Sequence, residues 1–230
     1  MKLLLLITFT LFCLPCSSEG GEKERTCRII FVDRPRDALK EVQLFDGLVS
    51  RKIQLPGKNL SEVIKLSGGD LVLGMTPDSV LNPKNFPKGA PTMKIPAKIT
   101  DFYLIVVSDP ENKTLPLRML PVDAGDKPPK LGQTLWINLT AHTIKGNLGS
   151  KSLTVPPDAR VIGEAPLTAS GYYKAEFQYQ PDGKGEFQTM MKKSWWFDAK
   201  SKNIGFIVNS GRRLPKIITF RDKLAPQKKK

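Results

Sequence analysis

A single histidine and three cysteines in 230 residues leave few side chains from which to assemble a reactive centre. His142 stands alone, so no His-rich metal cluster can form, and its place just after a strand pattern suits a turn-lining or surface role. Two of the cysteines, Cys13 and Cys16, fall in an apolar N-terminal run, and only Cys27 lies beyond it. One remaining thiol excludes an internal disulfide and a structural zinc site, so stability has to come from apolar burial. Cys27 itself opens a strand pattern and reads as a small buried residue rather than a nucleophile. Long helical patterns are missing too. With 18 glycines and 19 prolines, few stretches carry an apolar stripe at spacing three and four. No Gly-rich loop follows a strand and opens a helix, which removes the phosphate-binding fingerprints of nucleotide enzymes. Ser150 lacks the G-x-S-x-G elbow, and no base can be assigned to it. The reading is therefore no enzyme, no catalytic residue, no metal site and no cofactor.

What is present is the composition of a turn-rich globular chain: 40% apolar and 25% charged residues. At the N-terminus Met1-Lys2 gives a basic start, residues 3–14 an apolar run and Cys16-Ser17-Ser18 a small-residue cleavage site. Residues 1–18 thus read as a secretory signal peptide, and the expected location is secreted, periplasmic or cell-envelope. The run is too short for the roughly 20 residues of a membrane span, so no transmembrane segment is expected once the signal is removed. A lipid anchor at Cys16 stays open, although Pro15 and Cys13 stand where a small residue and a leucine are usual.

The C-terminal part repeats an earlier phrase. LPKIITFRD at residues 214–222 echoes LPLRMLPVD at 115–123, an offset of 99 residues, and each copy follows an apolar run and a polar turn. A period near 100 residues is too long for a solenoid and suits two tandem sandwiches. The expected organisation is a β-sandwich unit over 27–123, a linker over 124–133, a second unit over 134–222 and a basic tail over 223–230. Within the first unit, residues 63–66 and 71–73 flank Ser67-Gly68-Gly69-Asp70 as a hairpin would. Five prolines between 77 and 96 predict an extended surface loop crossing between sheets. In the second unit, Arg160-Val161-Ile162-Gly163 continues a meander, and residues 172–180 alternate one polar face with one apolar face. The recurrent Asp123 and Asp222 read as strand-end residues bonding their own backbone.

Charge is uneven. The formal net charge is +14, and residues 184–230 hold thirteen Lys/Arg against Glu186, Asp198 and Asp222. Such a face favours polyanions, while the closing lysines also suit a solvated tail. The one candidate binding cluster is Lys192, Lys193, Trp195 and Trp196 with Arg212 and Arg213. Alternation places Trp195 and Phe197 on one strand face and Trp196 on the other, so one tryptophan is available to stack on a sugar beside cations. The competing reading sends the inward aromatics to the core and covers Trp196 with the other unit. Candidate partners are an envelope protein or an acidic polysaccharide; nucleic acid is not expected of an exported chain. Three N-x-S/T triplets start at Asn59, Asn112 and Asn138, and Asn138 lies mid-strand, a poor acceptor position.

The segments RIIFVD, VQLFDG and KIQLPG in the first half, and LWINLT, LTVPP, WWFD and LPKIITFRD in the second, resemble a group of secreted bacterial proteins of unknown function. The resemblance implies Ig-like antiparallel β-sandwich units and an envelope or extracellular setting. It brings no catalytic residue with it.

Overall fold

Alternating apolar residues broken by Gly and Pro every few positions dictate short strands, and strands are nearly all the chain makes. The computed structural model describes residues 24–80, 83–124, 128–181, 184–209 and 214–222. The signal segment 1–18 with Cys16, linker residues 125–127, Arg212, Arg213 and the basic tail 223–230 lie outside the described residues. The first half supplies β1 (Arg25–Phe31), β2 (Glu41–Phe45), β3 (Ser50–Gln54), β4 (Ile64–Leu66), β5 (Leu71–Thr76), β6 (Thr92–Ile95), β7 (Asp101–Ser108) and β8 (Leu117–Asp123). The second supplies β9 (Thr134–Asn138), β10 (Thr143–Leu148), β11 (Lys151–Val155), β12 (Arg160–Gly163), β13 (Gly171–Gln180), β14 (Gln188–Phe197), β15 (Lys202–Val208) and β16 (Lys216–Asp222). The one helical turn described is the 3-10 turn Pro83–Asn85.

These strands form four four-stranded sheets: sheet I, β3-β2-β5-β6; sheet II, β4-β1-β7-β8; sheet III, β12-β9-β15-β16; sheet IV, β11-β10-β13-β14. Raising each strand number of sheets I and II by eight yields sheets IV and III. Each half also has one parallel pairing, β1 with β7 and β9 with β15, among antiparallel ones. The chain therefore builds the same all-β sandwich twice.

The two Leu-Pro phrases both lead into the seven-residue strand that closes a unit, β8 or β16. Their letters do not match face for face. Leu117 and Met119 turn into the first sandwich, whereas Ile218 and Phe220 turn out of the second. At offset 99 the copies are one residue out of phase, and in a strand one residue exchanges the faces. Asp222 shows the consequence. It does not cap its own backbone; its carboxylate accepts from Tyr103 Oη at 2.8 Å and from Arg28 Nη1, both on sheet II.

Three apolar layers hold the four sheets in the order I, II, III, IV. Between I and II lie Ile29, Leu44, Leu73, Leu104 and their neighbours. Between II and III lie Ile30, Tyr103, Ile105, Ile137, Phe206 and Phe220, contributed by both halves. Between III and IV lie Trp136, Ile144, Val155, Phe177 and Ile207. Sheets II and III are covered on both sides, which is why their central strands β1, β7 and β15 read as continuous apolar runs. The middle layer is edged by ion pairs joining the halves: Arg28–Asp222, Lys216–Asp33 at 2.6 Å and Arg160–Asp123 at 3.9 Å.

Two connections differ from the expected pattern. Residues 67–70 do not close a hairpin, because β4 pairs with β1 in sheet II while β5 pairs with β2 and β6 in sheet I. Leu66 and Leu71 thereby enter the same apolar layer from opposite sides. Likewise β12 leaves the meander and pairs with β9 across the second sandwich. The proline-rich segment contains β6, an edge strand bounded by Pro91 and Pro96, positions a sheet edge tolerates. Arg25, 1% exposed, anchors this region by donating to the carbonyl oxygens of Ile99 (2.7 Å), Gly69 (2.6 Å) and Pro96 (3.1 Å).

Cys27 sits in the first apolar layer with no exposed surface. Burial pushes its thiol up to about 12, with Arg51 opposing and Asp101 adding. A group whose folded pKa lies above its unfolded value contributes stability below the unfolded pKa and loses it as pH rises through the folded one. We expect the urea midpoint to hold below about pH 8.5 and to fall progressively toward pH 12, with Cys27→Ala flattening that fall. The native thiol should also resist a thiol-specific reagent at pH 8 until urea unfolds the chain; prompt labelling would contradict its burial.

Candidate functional site

Sheet IV is the outermost layer of the second half, so one of its faces meets solvent. Alternation along β13 sends Ala175, Phe177 and Tyr179 inward and leaves Tyr172, Lys174, Glu176 and Gln178 on the outer face. Pairing then selects their neighbours on β14: Tyr172 opposite Trp196, Lys174 opposite Ser194 and Glu176 opposite Lys192. Trp196 is 51% exposed and Tyr172 72%, and their rings meet edge to face with centroids 5.0 Å apart. Lys192 Nζ lies 3.3 Å from the Glu176 carboxylate. Lys174 follows two residues after Tyr172 on the same face and makes no ion pair among the described residues. Further across, Lys145 Nζ stands 4.0 Å over the Phe187 ring. A shallow groove of about 490 Å³ runs between Lys174, Glu176, Lys192, Ser194 and Asn147.

The structure divides the cluster expected from the sequence. Lys192 and Trp196 share the outer face. Lys193 and Trp195 belong to the other: Ala175 opposite Lys193 is fully buried, and Lys193 Nζ lies 5.4 Å from the Trp195 ring centroid. Trp195 stacks on Trp136 at 6.3 Å and 11° within the apolar layer between sheets III and IV. Arg212 and Arg213 lie outside the described residues. Tyr172 and Lys174 were legible as the polar side of an alternating strand, but only the register of β13 against β14 puts them beside Trp196.

This face can present two aromatic edges and a cation to a ligand lying along the strands. Among the described residues no three His, Cys, Asp or Glu side chains come together as metal ligands would. Ser150 is exposed in the β10–β11 turn, and His142 packs edge-on against Tyr179 with ring centroids at 5.3 Å. No helix among the described residues is long and apolar enough to cross a membrane. The Asn138 triplet is a buried turn motif, with Asn138 0% exposed. Asn112 Oδ1 likewise accepts from the backbone of Thr114 and Leu115, which leaves Asn59 as the one exposed asparagine of the three. No family model matches the chain, and no curated protein matches it.

Proposed function

We propose that this is an exported, non-catalytic binding protein of the cell envelope that holds an acidic glycan against the outer face of sheet IV. The carrying observation is the exposed Tyr172–Trp196 pair set in register beside Lys174 and Lys192. A sugar ring offers an apolar face to an aromatic edge or plane, and its carboxylate or sulfate pairs with an ammonium. The basic balance of the C-terminal part adds long-range attraction.

On an immobilised anionic polysaccharide, Trp196→Ala is expected to weaken binding about tenfold, the size of one lost aromatic contact of about 1.4 kcal/mol. Lys174→Glu is expected to move elution to lower salt. Elution unchanged by both substitutions removes the reading. A second reading, an envelope protein as the partner, is favoured by β14 itself. This ten-residue strand pairs on one side alone among the described residues, so its other edge could receive a strand from that partner.

A further inference from the structure

The second sandwich has an opening of about 240 Å³ at one end, between sheets III and IV and beneath the outer face described above. Its floor is Trp136. The indole lies flat across sheet III because the two positions beneath it carry no side chain. A Cβ on Gly205 would meet the ring at 2.4 Å, and one on Gly163 would meet Nε1 at 2.7 Å. Trp195 stacks over Trp136, and Tyr173 meets Trp195 edge-on at 6.4 Å.

Several polar side chains around this opening have no hydrogen-bond partner among the described residues. Trp136 Nε1 is buried and donates to nothing among the described residues. The side chains of Thr134, Asn203 and Thr219, and the Tyr173 hydroxyl, line the same space and make no hydrogen bond among the described residues either. Glu164 stands at the rim, its carboxylate accepting from Gln133 Nε2 at 3.1 and 3.2 Å. Buried polar groups are ordinarily satisfied, so the one idle buried group, the Trp136 indole N–H, set in an aromatic cavity beside the half-buried Thr134, Tyr173 and Asn203, calls for an occupant.

The chemistry selects that occupant. An anion would face Glu164, and a quaternary ammonium would bring no acceptor to the indole N–H. A neutral pyranose brings both: apolar C–H faces for the aromatic walls, and hydroxyls that donate to Glu164 and accept from Trp136 and Asn203. We infer that the end of the second sandwich is a binding pocket for one neutral hexopyranose unit. The inference does not depend on the acidic-glycan reading, since a neutral sugar has no charge to engage the lysines of sheet IV.

The test titrates the full chain with glucose, galactose, mannose and N-acetylglucosamine, following tryptophan fluorescence and saturation-transfer NMR. At least one sugar should give a saturable response with a dissociation constant on the order of 1 mM. Asn203→Ala should weaken it about tenfold, the worth of a hydrogen bond made in a closed site. Thr219→Lys, placed at an exposed position of the rim, should block it while leaving the urea midpoint in place. Lys174→Glu should leave it unchanged. No saturable response to any of the four sugars overturns the inference. So does a response that survives both rim variants, or saturation by tetramethylammonium in place of sugar.

Discussion

Asn138→Asp is expected to destabilise the protein by about 4 kcal/mol, although it exchanges one NH2 for one oxygen. Asn138 is wholly buried at the end of β9. Its Nδ2 donates to the carbonyl oxygens of His142 (2.7 Å), Pro156 (2.9 Å) and Val155 (3.2 Å), two hydrogens shared among three acceptors. Its Oδ1 accepts from the backbone N and the hydroxyl of Thr140 at 3.1 and 2.7 Å. One amide thus ties the end of sheet III to the ends of two segments of sheet IV. In the variant a carboxylate would confront three carbonyl oxygens with no cation in the network. Its pKa in the fold would rise above the unfolded value of about 3.9. The penalty should therefore be small in acid and develop as pH rises through the folded pKa. Urea midpoints at pH 4 and pH 7 measure both parts. A pH 7 midpoint equal to that of the parent would show that the three carbonyls are held by something else.

Asp222→Ala is expected to cost about 3 kcal/mol, within the range for removing one partner of a mostly buried ion pair. The Asp222 side chain is 7% exposed and that of Arg28 19%, so water can compensate only part of what the guanidinium loses. The Tyr103 hydroxyl loses its acceptor at the same time. These three groups edge the apolar layer between sheets II and III, and the effect should appear as weakened union of the halves. Asp222→Asn keeps an acceptor for Tyr103 and removes the charge, so it should cost roughly half as much. The two variants, compared by urea denaturation, separate hydrogen bond from charge. Equal midpoints for parent and Asp222→Ala would place the stability of the layer in its apolar contacts alone.

Much of the strand content was legible because alternation is local. The 172–180 segment shows its buried and exposed sides directly, and Trp196 points outward as alternation along its strand requires. Strand β10 is not legible in the sequence because it contains Gly146, whose place in the apolar layer is filled from the neighbouring strand β13 by Phe177, 2.9 Å from where a Cβ would stand. A pattern read along one strand cannot register a side chain lent by another. β6 was hidden by its flanking prolines for the same reason: whether they break a strand or border one depends on its being at an edge.

Taken by itself, the order of residues determined that the described chain would be strands and turns, that it would build one design twice, and that Cys27 would have no disulfide partner within the chain beyond the N-terminal run. These follow from local alternation, turn chemistry and counting. Only the tertiary structure decided which sheet each strand joins, that residues 67–70 cross between sheets, and that Asp222 serves the other half of the molecule. It also decided that Tyr172 and Lys174 stand beside Trp196, through the register of β13 against β14. The physical reason is register. Sliding one strand by a single residue leaves its composition and backbone bonding intact yet exchanges every side chain between core and solvent, and the apolar layers on either side settle that choice together.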